Sequence, residues 1–238
     1  MIDESQMDPS IEAKLLSTLT RAERLAALGE LSGGIAHEIR NPLNTIKTSI
    51  YFLMHAEELS QSKIREHLER IDRQVALIDS VVTTLSNMIR MPVPSLRRLN
   101  LKQEMESVLD SVAIPASIQV AMEFPEGLPE AQGDGNQILI VFRNLIRNAK
   151  DAMPNGGRMT LGANSVGDYV KVFVADTGVG IAPELISQIT EPLFTTKSRG
   201  MGLGLSLSKS ILEKNGGRLE IESQLGIGSL FMVFLPMA

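Results

Sequence analysis

Apolar residues at Leu25, Leu28, Ile35, Ile39, Leu43, Ile46, Ile50 and Leu53 recur at alternating spacings of three and four, with Ser32 filling one step. A helix turns about 100° per residue, so residues three and four apart share a face. This spacing is the seam of a helix that packs lengthwise on other helices. A second run, Ile64, Leu68, Ile71, Val75, Ile78, Val82, Leu85 and Ile89, keeps the same rhythm. Between the runs, His55-Ala-Glu-Glu-Leu-Ser-Gln-Ser lowers the apolar density. The first helix is therefore expected to end at about Ala56, and Ser60 or Ser62 to cap the second. Two long helices joined by a short turn form an antiparallel hairpin. A lone hairpin cannot cover two seams, so two chains are expected to pair as a homodimer with a four-helix bundle. Residues 1–20 read as an N-terminal extension, frayed at first and helical from about Ile11, ahead of a helical domain at 21–90. A helix that begins so abruptly suggests a core taken from a longer protein.

Met91-Pro-Val-Pro-Ser ends this pattern, because Pro92 and Pro94 remove donors and favour extended backbone. Residues 91–98 read as a linker and 99–238 as a second domain. In it, Asn100 can cap a helix to about Val112, and Asp134 one to about Met153 with Ile138, Val141, Phe142, Leu145, Ala149 and Ala152 inward. Ile118, Val120, Met122 and Phe124 alternate as a strand with one buried face. Met159–Ala163 and Tyr169–Ala175 read as a hairpin, as do Gly217–Ser223 and Ser229–Leu235 around Gly226-Ile-Gly228. A helix from Gly204 to Lys214 stops at Asn215-Gly216. Strands grouped with helices, rather than strictly alternating with them, predict an α+β two-layer sandwich with helices on one sheet face.

The composition narrows the function. A net charge of −5 with dispersed basic residues gives no nucleic-acid surface, and 4% aromatics without Trp gives no base-stacking platform. Without cysteine there is no disulfide frame, thiol catalysis or Cys-based zinc site, which fits the cytoplasm. No apolar run approaches the ~20 residues that span a bilayer, so no membrane contact is expected of these residues, whether or not a longer parent is tethered.

His37 lies two residues beyond Ile35 and so points about 200° from the seam, outward, with Asn41 and Asn44 on its side and Glu38 beside it. A lone exposed histidine is ordinarily a solvated one. Gly33 and Gly34, one turn earlier, each cost a helix about 1 kcal/mol relative to Ala and clear one approach to the imidazole. Pro42 cannot donate to the Glu38 carbonyl, so a bend is expected beside the histidine. A neighbouring carboxylate can take a ring proton and leave the other nitrogen nucleophilic. The plainer alternative is a kinked packing helix with a surface histidine. His55 and His67 lack these surroundings and read as surface residues.

Three motifs in the second half bear on ligands. Asn144 and Asn148 sit four apart beside a buried helix face; a carboxamide oxygen can complete a Mg²⁺ shell, although such residues are also ordinary surface or capping residues. Asp176-Thr-Gly178-Val-Gly180 ends an apolar strand, where an aspartate can accept from an exocyclic amine and glycines admit a flat ring, or simply make a turn. Gly200-Met-Gly202-Leu203-Gly204 opens a helix whose first amides suit an anion. Neither glycine stretch has the G-x-G-x-x-G spacing, and no G-x-x-x-x-G-K-[ST] occurs. Between them, Phe194-Thr-Thr-Lys197-Ser-Arg199 can form a closing loop with Lys197 or Arg199 near phosphates.

His37-Glu38-Ile39-Arg40-Asn41-Pro42 resembles the phosphoacceptor box of the sensor histidine kinases of two-component systems. Asn144/Asn148, Asp176-Thr-Gly-Val-Gly, Phe194 and Gly200-Met-Gly-Leu-Gly resemble, in order, the N, G1, F and G2 boxes of their ATP-binding domain. That domain has the Bergerat fold shared with the gyrase and Hsp90 ATPases, and the resemblance covers about residues 20–238. It implies ATP-dependent phosphorylation of His37 with Glu38 as base. It also implies that Asn148 ligates Mg²⁺, Asn144 lies near the phosphates and Asp176 binds the adenine amine. The glycines at 178, 180, 200, 202 and 204, with Leu203, would shape the pocket and its lid. Met201 departs from a common Thr and puts one hydroxyl contact in doubt. The resemblance further implies transfer to an aspartate of a response regulator, and a phosphatase activity in which Asn41 positions water. An ATPase that never phosphorylates itself, and a binding scaffold without activity, are the rival readings.

Overall fold

The structure is a computed structural model that describes residues 39–56, 59–90, 92–192, 194–196 and 202–238. The chain divides into two units, 1–91 and 92–238.

In the first unit, helix α1 (39–55) runs unbroken through Pro42, and α2 spans Gln61–Arg90. Thr45 and Thr48 donate their hydroxyls back to the carbonyls of Asn41 (3.2 Å) and Asn44 (2.9 Å). Ser60 caps α2: its Oγ accepts from the Lys63 amide and its carbonyl from the Ile64 amide. No described member of either stripe is fully buried within the chain; the buried positions lie beside the stripes. Pro42 and Ser49 on α1 and Val81 on α2 are buried, while Leu43, Ile50, Leu68, Val75 and Val82 stay exposed. His55 is a surface residue, as expected, with Nδ1 2.9 Å from the Tyr51 carbonyl. His67 is not: its ring stacks on Phe52 at 4.4 Å between centroids, and its Nδ1 is buried with no hydrogen-bond partner among the described residues. Spacing put His67 on the same face as Ile64 and Ile71, and that face outweighed its polarity.

In the second unit, a five-stranded sheet has the order β2 (Ile118–Glu123), β4 (Gly157–Val166), β5 (Tyr169–Asp176), β7 (Gly228–Pro236), β6 (Arg218–Gln224). All pairs are antiparallel except β2–β4, which is parallel because the long helix α4 (Gly135–Ala152) returns the chain between them. Helices α3 (Leu101–Ser111), α4 and α6 (Gly204–Lys214) form the second layer. The caps are as expected: Asn100 Oδ1 accepts from the Gln103 amide and Asp134 Oδ1 from the Gln137 amide, each at 3.2 Å. β5 alternates strictly, sending Val170, Val172, Val174 and Asp176 inward against α4, whose Ile138, Val141, Phe142, Leu145, Ile146 and Ala149 are buried.

The sequence reading differs from this in three places. β2 is an edge strand that buries Ile118 but leaves Val120 37% exposed, so it has no continuous buried face. A two-stranded ribbon of β1 (Arg97–Leu99) and β3 (Ala131–Gly133) and the one-turn helix α5 (Pro183–Ile186) were not anticipated; each is too short for periodicity to register.

Candidate nucleotide site

α4 carries Asn144 and Asn148 one turn apart, both half-buried. The Asn144 Nδ2 donates to the Gly204 carbonyl (3.0 Å) and to Ser208 Oγ (3.3 Å), and Ser208 Oγ donates to the same carbonyl (2.9 Å). Asn144 thus ties α4 to the opening turn of α6. That turn begins after Leu203, which is 1% exposed, and no side chain among the described residues caps it. The first amides of a helix suit an anion or water. Just before it, Gly202 has φ +65°, and a Cβ there would overlap the Phe194 carbonyl, so the third and fourth motifs meet backbone to backbone.

Asp176 ends β5 with only 6% of its surface exposed, and its Oδ1 accepts from the Gly178 amide at 2.9 Å. A buried carboxylate is costly unless hydrogen-bonded, so an aspartate that merely turned the chain would sit outside. The loop that follows is fastened on both sides. A Cβ on Gly178 would overlap the Ala152 carbonyl, which accepts from the Val179 amide (3.0 Å). On the other side, the Gly226 amide donates to the Val179 carbonyl (2.8 Å) and the Ile181 amide to Ser223 Oγ (2.8 Å). Gly180 (φ +66°) lies against the Gln224 carbonyl, where no side chain fits. The loop that follows Asp176 is therefore held between the end of α4 and the β6–β7 hairpin, with glycines where the backbones approach closest.

Sequence reasoning missed the residues that hold this loop. Thr177 Oγ1 accepts from the Arg158 amide at 3.0 Å, and its own amide donates to the Arg158 carbonyl. Ser223 Oγ donates to the Gly228 carbonyl (2.8 Å) and lies 2.9 Å from Ser229 Oγ. Ser229 pairs directly across from Asp176 and is buried in phase with Phe231, Val233 and Leu235. A lone serine in an inward apolar register was the signal that marked it.

The structure brings together Asn144, Gly202, Leu203 and Gly204 at the start of α6, and Asp176, Gly178 and Gly180 at the end of β5. Asn41 is exposed, as is Asn44, as their spacing from the seam predicted. His37, Glu38, Lys197, Arg199, Gly200 and Met201 lie outside the described residues. Among the described residues, no helix is long and apolar enough to cross a membrane.

Residues 27–92 match the His Kinase A (phospho-acceptor) domain, and residues 133–238 match the histidine kinase-, DNA gyrase B- and HSP90-like ATPase family. The sensor histidine kinase ZraS of Escherichia coli K12 is 34% identical over 227 residues, covering 94% of this chain and 48% of that protein. Sporulation kinase C of Bacillus subtilis is 33% identical over 221 residues, covering 91% of this chain and 50% of that protein. The chain thus spans about half the length of these relatives. Among solved structures, the histidine kinase ThkA in complex with the response regulator protein TrrA superposes with a TM-score of 0.80 at 26% identity, covering 94% of this chain and 66% of that one. The ThkA catalytic domain alone superposes with a TM-score of 0.53 at 26% identity, covering 60% of this chain and 96% of that one. With a phospho-acceptor domain followed by an ATP-binding domain of the fold described, this chain belongs to the sensor histidine kinase family and carries its catalytic core.

Proposed function

We propose that the chain is an ATP-dependent protein-histidine kinase that phosphorylates its own His37 and hands the phosphoryl group to an aspartate of a response regulator. The observation that carries this reading is the joint occurrence, in one chain, of the phospho-acceptor match over 27–92 and the ATPase match over 133–238. The residues of the pocket fit a purine nucleotide. Asp176 offers a buried carboxylate to an exocyclic amine, and Gly178 keeps the adjoining backbone clear of side chains. The start of α6 suits phosphates, with Asn144 beside it; Lys197, a few residues earlier in the sequence, would add a positive charge. Asn148 would give its carboxamide oxygen to Mg²⁺. When bound, the metal would screen the phosphate charge.

In the reaction, His37 attacks the γ-phosphorus as the bond to the ADP oxygen breaks, and Glu38 accepts the ring proton. The imidazole then yields the phosphoryl group to a regulator carboxylate. That ThkA was solved with a response regulator protein supports such a partner. In the reverse activity, Asn41 orients a water toward the regulator's phosphoaspartate, with Glu38 beside it.

The assembly is a homodimer. Leu43 and Ile50 on α1, and Leu68, Val75 and Val82 on α2, repeat every seven residues and are each between 43% and 54% exposed. A second copy covering both stripes completes a four-helix bundle. The organisation follows the sequence: extension 1–20, phosphotransfer domain 21–90, linker 91–98 with a hinge at 91–95, and catalytic domain 99–238, all on the cytoplasmic side.

Incubation with γ-labelled ATP and Mg²⁺ tests the acceptor. Acid-labile label is expected on the natural chain and none on His37→Gln; label persisting on the variant would end the assignment.

A further inference from the structure

α4 and α6 are clamped to each other by polar side chains at two ends. At the start of α6 the clamp is Asn144 with the Gly204 carbonyl and Ser208, beside the nucleotide site. At its other end Asn215, only 3% exposed, donates its Nδ2 to Gln137 Oε1 (3.0 Å) and to the Ile211 carbonyl (2.8 Å). Its Oδ1 accepts from the Asp134 amide (2.8 Å). The eleven residues of α6 between these ends span ~16 Å.

The far clamp does more than join two helices. Gln137, 5% exposed, donates its Nε2 to the Pro92 carbonyl (3.1 Å), and Asp134 Oδ2 accepts from the Ser95 amide (2.9 Å). Pro92 and Ser95 lie two and five residues after the end of α2, in the stretch whose prolines mark it as the connection. So the connection is seated on the same buried cluster that fixes the end of α6. Buried amides of this kind have few alternative partners, and losing one bond strands the others.

We propose that Asn215 and Gln137 are positioning residues that couple nucleotide binding at the start of α6 to the seating of residues 92–95. Both clamps demand one placement of α6 against α4. A nucleotide that favours that placement at the Asn144 end favours it at the Asn215 end, and the Pro92 and Ser95 bonds tighten. By linkage, a seated connection raises nucleotide affinity by the same factor. This rests on the proposed nucleotide site and adds to it a route to the connection.

Hydrogen exchange on the full chain tests it, read on the peptide 92–96, in which only Val93, Ser95 and Leu96 carry amides. The probe is Mg²⁺ with a non-hydrolysable ATP analogue, with its Kd measured on the same sample. The Ser95 amide is expected to slow at least about fivefold on saturation, the lower end of ordinary coupling. Gln137→Met is expected to abolish the slowing and to raise the analogue's Kd by the same factor. Ser95→Pro removes the donor from an exposed position without touching the cluster's side chains, and is expected to raise Kd alike, whether or not Gln137→Met folds. Analogue bound with Ser95 exchange unchanged would overturn the coupling and leave the nucleotide site standing. No binding at all would overturn both.

Discussion

Asp176 occupies an inward step of β5 that its neighbours Val170, Val172 and Val174 fill with apolar side chains. A charge there has a purpose beyond packing, because the bond it accepts from the Gly178 amide is the kind that an Asn could also accept. Asp176→Asn is therefore expected to keep the fold and lose nucleotide. A hydrogen bond to a charged group contributes about 1.5–3 kcal/mol, so affinity for the ATP analogue should fall about 10- to 150-fold by calorimetry, with the melting curve unmoved. Gly178→Ala is expected to act differently. Its Cβ meets backbone of α4 rather than a flexible side chain, so the unit should lose about 1–3 kcal/mol in urea unfolding. Asp176 and its glycines were legible in the sequence because Asp-x-Gly-x-Gly is a local pattern. Thr177 and Ser223 were not, since the amides they satisfy, on Arg158 and Ile181, come close only in the folded sheet. His67 sits at the spacing of Ile64 and Ile71, and only its polarity argued for the surface.

At the scale of elements, α4 does the most, and it was the most readable. Its cap, its 3.6-residue periodicity and its end near Met153 all follow from residues adjacent in sequence. Phe142, wholly buried between the sheet and its neighbours, is expected to cost about 3–5 kcal/mol when truncated to Ala, read as a lower urea midpoint with unchanged slope. The elements that escaped reading are those whose existence depends on a distant partner. β1 and β3 are three residues each; they pair with one another, and Ala131 also bridges to Met237 near the far end of the chain. β2 has the alternating letters of a half-buried strand, but its edge position leaves Val120 uncovered. Alternation reports which residues share a face; whether a layer covers that face is decided elsewhere in the chain.

For the whole molecule, the three-four stripes on α1 and α2 promise more burial than one hairpin delivers. The residue of that promise, Leu43, Ile50, Leu68, Val75 and Val82, is expected to lie between two copies. A chain carrying Leu68→Glu and Val75→Glu should sediment as a monomer where the natural chain sediments as a dimer, while binding the ATP analogue equally well, because those residues belong to the other unit. The order of motifs along the chain, acceptor first and nucleotide boxes after, was readable from sequence and agrees with the two matched families. The seating of residues 92–95 on Gln137 and Asp134 was not, because prolines announce a break in a helix and say nothing of where the broken chain docks. The central claim is that a pocket built around Asp176 phosphorylates an imidazole carried by the first unit. Mass spectrometry at neutral pH, after incubation with ATP and Mg²⁺, locates the phosphate directly. The account predicts phosphohistidine at His37, matched by ADP released and lost in Asp176→Asn; phosphate on another residue, or ATP consumed with no phosphate on the chain, would contradict it.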